Sequence, residues 1–131
     1  MIKIMRYLGI DYGTKRVGLA LSDERGQMAF PHDVVSNSPE LVSTLESVIA
    51  EQHVEAIVIG HSKQLNGSDN PLHEAVTELV TDLTLATGLP IHLEPEQYTT
   101  QEAVRWQGRT DKTDAAAAAI ILNSYLSRQH I

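Results

Sequence analysis

The sequence predicts an α/β protein: a mixed five-stranded sheet with strands 1–3 antiparallel, strands 4 and 5 parallel to strand 1, and helices on both faces. Three observations predict it. Residues 3–11, 16–22 and 28–35 are β-type runs, each joined to the next by a short glycine-containing turn. Two further apolar runs, 56–60 and 91–94, are each preceded by a stretch with helical spacing. The chain closes on an alanine-rich segment of helical length, with five alanines at 115–119.

The first strand, residues 3–11, is apolar and ends on an acid, Asp11. A carboxylate at the end of a core strand is costly unless something satisfies it, such as a metal ion or a ring of backbone amides. Gly13, Thr14 and Lys15 supply a tight turn into the second strand, 16–22. Asp23-Glu24-Arg25-Gly26-Gln27 turns the chain again, and Pro31 marks the third strand as an edge or a bulged strand. Short connections make these three an antiparallel meander.

Ser38-Pro39 reads as an N-cap followed by proline at the first helical position. Leu41, Leu45, Val48 and Ile49 then repeat at helical spacing to about Gln52. Ala56 to Gly60 is a wholly apolar strand of the kind buried on both faces. A polar loop, His61 to Asn70, leads to a second cap-plus-proline start at Asn70-Pro71. Leu72, Val76, Leu79, Val80 and Leu83 form the buried stripe of a helix that stops at Gly88.

Ile91 to Glu94 is the fifth strand, bounded by Pro90 and Pro95. Thr99 and Glu102 form a capping box for a short helix ending near Gly108. After the polar loop 108–113, Asp114 opens the last helix, which runs to about Gln129 with Ala118, Ile121, Leu122 and Tyr125 facing the core. The order is β-β-β-α-β-α-β-α-α. With no linker or repeat, residues 1–131 read as a single domain.

Net charge is −7, which argues against a passive nucleic-acid binder with a basic stripe. It leaves room for an enzyme that reaches phosphates through metal ions and a local basic patch. Five basic residues fall in two short windows: Lys15 and Arg16, then Arg105, Arg109 and Lys112. There is no cysteine, so disulfides and thiolate metal sites are excluded. Neither a signal peptide nor an apolar run of membrane-spanning length is recognisable, so a cytoplasmic protein without membrane contact is expected.

In open α/β sheets, sites form at the C-terminal ends of the parallel strands. Asp11 ends strand 1, Glu96 lies just past strand 5, and Asp114 sits in the first turn of the last helix. Three carboxylates converging there repel one another unless divalent cations intervene, and oxygen-only donors point to Mg²⁺ or Mn²⁺. Each acid also has a plain reading: Asp114 as an N-cap, Glu96 as a solvated loop acid, Asp11 as a turn cap.

The run from Gly9 to Ala20, Gly-Ile-Asp-Tyr-Gly-Thr-Lys-Arg-Val-Gly-Leu-Ala, resembles the opening motif of the YqgF family. These are RNase H-like proteins described as pre-16S rRNA nucleases or Holliday junction resolvase-like proteins. Ile57 to Gly60 with Asn66-Gly67-Ser68, Glu96 with Thr99-Thr100, and Asp114 with Ala117-Ala118 and Ile121 to Leu126 resemble the family's later motifs. The resemblance implies an RNase H-like fold and metal-dependent phosphodiester cleavage. Asp11, Glu96 and Asp114 would be both the metal ligands and the catalytic residues. The implied mechanism is two-metal hydrolysis with ions about 4 Å apart. It also implies RNA as partner, as pre-rRNA or a small-subunit precursor. Lys15, Arg16, His61, Lys63 and Arg109 are the expected substrate contacts.

The sequence departs from the family pattern in three places, one of them a shorter loop before Asp114. His61 and Ser62 stand where an apolar residue and proline are usual, and Pro95-Glu96-Gln97-Tyr98 replaces an Asp-Glu-Arg-Leu run. Glu94 shares strand parity with Glu96 and is a substitute for the missing acid. Two other functions compete. A DNA junction resolvase acting on branched DNA requires a homodimer, because two symmetric cuts need two sites; the RNA nuclease works as a monomer or a homodimer. A catalytically decayed RNA- or ribosome-binding module is the non-enzymatic reading, motivated by His61, Ser62, Pro95 and Gln97. His92 reads as a half-buried packing residue, Tyr12, Tyr98 and Trp106 as packing residues or base-stacking platforms, and Asp111 as a loop acid.

Overall fold

The computed structural model describes residues 5–61, 71–95 and 111–129. The expected helix 99–108 and the residues Lys63, Glu96, Tyr98, Trp106 and Arg109 lie outside the described residues.

The described residues form β1 (Tyr7–Tyr12), β2 (Arg16–Ser22), β3 (Ala29–Ser36), α1 (Leu41–Gln52), β4 (Ala56–His61), α2 (Pro71–Thr87), β5 (Ile91–Pro95) and α3 (Asp111–Gln129). The strands make one sheet in the order β3-β2-β1-β4-β5. β2 runs antiparallel to β1 and β3, whereas β4 is parallel to both β1 and β5. The expected mixed five-stranded sheet is therefore observed.

Alternation of side chains across the pleat sorts the sheet into two faces. Leu8, Ile10, Val17, Leu19, Leu21, Ile57 and Ile59 meet Leu41 and Leu45 of α1 and Val76, Leu79 and Leu83 of α2. Each such buried aliphatic side chain contributes about 1.5–3 kcal/mol. The opposite face is covered by α3, whose Ala118, Ala119, Ile121, Leu122, Tyr125 and Leu126 pack with Ala20, Ala29 and Val58. Small residues let α3 lie close. A Cβ at Gly9 would stand 2.8 Å from the Leu122 Cβ, and one at Gly60 would overlap the Ile121 side chain.

Some boundaries differ from the sequence reading. β1 begins at Tyr7 rather than residue 3; just before it, the Arg6 guanidinium donates to Ser22 O (3.0 Å) and Gln52 O (3.2 Å). Ser38 is not the N-cap. α1 starts at Leu41 after a Ser38–Pro39–Glu40 turn, in which the Ser38 hydroxyl accepts from the Glu40 N–H (3.3 Å) and its carbonyl from the Leu41 N–H (3.0 Å). α3 begins at Asp111, so Asp111 is helical and Asp114 is not the cap. Asp111 puts an acid at the first helical position, where a negative charge favours the positive end of the helix dipole.

β3 is both an edge strand and a bulged one. Leu19 pairs with Asp33 but Ala20 pairs with Pro31, which leaves His32 as the extra residue. Between β2 and β3, Asp23 Oδ1 accepts from the Gln27 N–H (2.7 Å) and the Met28 N–H (3.2 Å). Gly26 takes a φ of 66° there, a region open to glycine at little cost.

Candidate active site

One row of residues crosses the sheet near the C-terminal ends of β1 and β4. In register, Val34 pairs with Gly18, Gly18 with Asp11, Asp11 with Gly60, and Gly60 with Glu94. Asp11, which is half-buried, thus has glycine on both neighbouring strands. Its parity is that of Gly9, Gly18 and Gly60, the residues that face α3. The flanking glycines let α3 come close on that face: the place a Cβ would take is filled by the Asp114 carbonyl group at Gly18 and by the Ile121 side chain at Gly60.

Asp114 reaches the same place from above. A Cβ at Gly18 would overlap the Asp114 carbonyl group, so the first turn of α3 rests directly on the backbone of β2. Gly18 is therefore shared: it pairs with Asp11 at about 5 Å between α-carbons and carries Asp114 on its α3 face. The structure brings the first and last of the expected ligands to one glycine.

Asp114 is 5% exposed. Its Oδ2 lies 2.9 Å from Arg16 Nε, an ion pair. That contact lacks hydrogen-bond geometry, and among the described residues the buried Oδ2 has no hydrogen-bond partner. A buried carboxylate oxygen held by charge alone is an incompletely satisfied group. Oxygen donors and an orphaned buried oxygen fit a hard divalent cation such as Mg²⁺ or Mn²⁺. Among the described residues no three His, Cys, Asp or Glu side chains cluster, since the third expected ligand, Glu96, lies outside them.

An opening of about 370 Å³ adjoins this pair, lined by Gly13, Thr14, Lys15, Arg16 and Asp114. Lys15 is exposed and Arg16 half-buried, so the opening carries two cations at its rim. The turn that presents them is sutured from below by Asn37, whose amide donates to Gly13 O (2.8 Å) and whose N–H donates to Lys15 O (2.9 Å). Sequence reasoning missed Asn37. Its position just past the end of β3 gave no local sign that β3 would end beside the β1–β2 turn.

The remaining expected residues separate. His61 ends β4 opposite Pro95, at the same sheet edge as Asp11, while Lys63, Glu96 and Arg109 lie outside the described residues. Glu94 is not a substitute acid. It is fully buried, accepts from the Ser124 hydroxyl (2.8 Å) and pairs with Arg128 near the C-terminal end of α3. Beside it, the His92 ring stacks on Tyr125 with centroids 5.0 Å apart, the packing role expected of it. Tyr12 packs against the core on the α1–α2 side of the sheet.

The profile of the RuvX family, described as Holliday junction resolvase, matches residues 5–128. A protein of Maridesulfovibrio salexigens named "Putative pre-16S rRNA nuclease" is 37% identical over 95% of this chain and 99% of its own length. Proteins with the same name from Nitratidesulfovibrio vulgaris (36% identical, 94% of each chain) and Streptococcus pyogenes (33%, 95% of this chain and 99% of its own) are also similar. Among solved structures, Thermus thermophilus RuvC in complex with a Holliday junction substrate superposes with a TM-score of 0.62 at 19% identity, covering 96% of each chain. The fowlpox virus Holliday junction resolvase does so with a TM-score of 0.56 at 13% identity, over 95% of this chain and 99% of its own. These two share the fold. The profile match and the relatives above 30% identity go further: the chain belongs to the RuvX family, of RuvC-like, RNase H-type architecture.

Proposed function

We propose that this single-domain chain is a divalent-metal-dependent nuclease that hydrolyses phosphodiester bonds in RNA, in the cytoplasmic maturation of pre-16S ribosomal RNA. The observation that carries this reading is the convergence of Asp11 and Asp114 on Gly18, beside an opening rimmed by Lys15 and Arg16. Asp11, Asp114 and Glu96 would hold Mg²⁺ or Mn²⁺, in a two-metal arrangement. Bound there, such ions supply activation of a water nucleophile and neutralisation of charge on the leaving oxygen.

The chain's own residues do the rest. Lys15 and Arg16 attract a phosphate to the opening, and charge-assisted hydrogen bonds from Arg16 orient it. Burial of Asp114 against β2 holds its carboxylate in place, so little reorganisation is needed when substrate arrives. His61, Lys63 and Arg109 extend the phosphate-contacting surface past this edge. The names of the similar proteins supply the choice of pre-16S rRNA.

The test is Mg²⁺- or Mn²⁺-dependent cleavage of a pre-16S rRNA fragment by wild type, Asp11→Asn and Asp114→Asn. Activity in wild type that both variants lose supports the reading; undiminished activity in either contradicts it. The family description favours a second reading, resolution of four-way DNA junctions by a homodimer. Faster cleavage of a junction than of RNA, by a dimer, replaces the first reading with the second. Wild type without cleavage of either substrate leaves an RNA-binding module.

A further inference from the structure

Arg16 and Asp114 form an ion pair at the place where a divalent cation would have to touch the carboxylate. We propose that Arg16 is a charge placeholder: it neutralises Asp114 until the metal binds, and the metal displaces it into the opening. This rests on the metal reading above.

Four observations lead here. Asp114 is almost fully buried, so its charge needs a partner at all times. The contact seen between them is to a single carboxylate oxygen: Nε lies 2.9 Å from Oδ2, without hydrogen-bond geometry. A bidentate guanidinium–carboxylate fork would be much harder to exchange. The Arg16 side chain is 38% exposed against 6% for Asp114, so the arginine, and not the acid, can leave for solvent. Finally, the opening that borders both residues gives the guanidinium somewhere to go. A hard cation binds a carboxylate oxygen at about 2.0–2.1 Å, and the repulsion between it and a guanidinium on the same oxygen makes the two exclusive. Once released, Arg16 stays at the rim where a substrate phosphate enters, so metal loading frees a phosphate ligand.

An ordinary structural salt bridge makes the opposite prediction about metal affinity, which allows a clean test. Mn²⁺ binding to the substrate-free chain is measured by calorimetry or electron paramagnetic resonance for wild type, Arg16→Gln and Lys15→Gln. Removing a competitor that occupies the carboxylate most of the time raises apparent affinity by the reciprocal of the competent fraction, here about 10-fold for Arg16→Gln. Lys15→Gln removes the same charge from the same opening but no partner of Asp114, and its affinity changes less than about 2-fold. In chelator, Arg16→Gln has a lower thermal midpoint than wild type, and saturating Mn²⁺ narrows that gap because the tighter site gains more from the ligand. If Arg16→Gln does not fold, Arg16→Met, which keeps the apolar stem, takes its place. Equal or weaker Mn²⁺ binding by the Arg16 variant overturns the placeholder, as does an equal gain in Lys15→Gln. Wild type that binds no Mn²⁺ overturns the metal reading and the placeholder with it.

Discussion

Gly18 lies against Asp114 so closely that a Cβ on the glycine would overlap the carbonyl group of the acid. Because Gly18 also pairs with Asp11 across the β1–β2 ladder, this one contact ties the backbones of the two acids to the same residue. The first turn of α3 cannot retreat without moving Asp114, and β2 cannot bow without disturbing Asp11.

Gly18→Ala is therefore expected to injure the site and the fold together. Overpacking against backbone costs about 1–3 kcal/mol, read as a lower urea midpoint. The displaced Asp114 lowers cleavage by roughly 100-fold. Gly60→Ala costs less stability, because its Cβ meets the flexible Ile121 side chain and not backbone. Equal midpoints for the two variants would contradict the assignment.

Neutralising the two acids has opposite effects on metal-free protein. Asp11→Asn removes like-charge repulsion with Asp114 and raises the thermal midpoint in chelator. Asp114→Asn weakens an ion pair with Arg16 and does not; the loss is about 1 kcal/mol or less, because Arg16 is partly solvated. Thermal melts in chelator check both signs.

The Glu94 cluster gives an asymmetry. Arg128→Ala leaves a fully buried carboxylate with only Ser124, which costs about 3 kcal/mol or more. Glu94→Leu removes the charge itself and is close to neutral. Both variants keep wild-type Mn²⁺ affinity. Loss of metal binding in Glu94→Leu would return Glu94 to the list of ligands.

The mixed sheet and the buried stripes of the helices were legible because apolar runs and helical spacing are local signals; the strand order, with β4 beside β1, was not. Asp11 and Asp114 stood out locally too, as an acid ending an apolar strand and an acid read as opening a helix, although α3 begins three residues earlier, at Asp111. The Arg16–Asp114 and Glu94–Arg128 pairs were not, since each joins segments far apart in the chain that meet only because α3 crosses the sheet diagonally. Glu94 illustrates the limit. Its parity with Glu96 made it a substitute acid in the sequence reading, and nothing local revealed that Ser124 and Arg128 would be waiting for it on α3.

Stability at acid pH depends on the β2–β3 turn. Burial works to raise the pKa of Asp23, but backbone N–H donors of Gln27 and Met28, with Arg25 nearby, outweigh it and hold the carboxyl below its ordinary value of 3.8. A depressed carboxylate contributes stability that is fully present above the unfolded value and is lost as pH falls through the folded one. Asp23→Asn is thus expected to flatten the decline of the urea midpoint below pH 3.8. A decline as steep as that of wild type would contradict this role.

The most direct test of the central claim, that Asp11 and Asp114 build a cation site for phosphodiester cleavage, is a Mn²⁺ titration of wild type and Asp11→Asn with RNA cleavage followed in the same samples. The account predicts saturable binding and cleavage in wild type, with both lost in Asp11→Asn while its fold persists by circular dichroism. Cleavage that survives in Asp11→Asn, or wild type that binds no Mn²⁺, would contradict it.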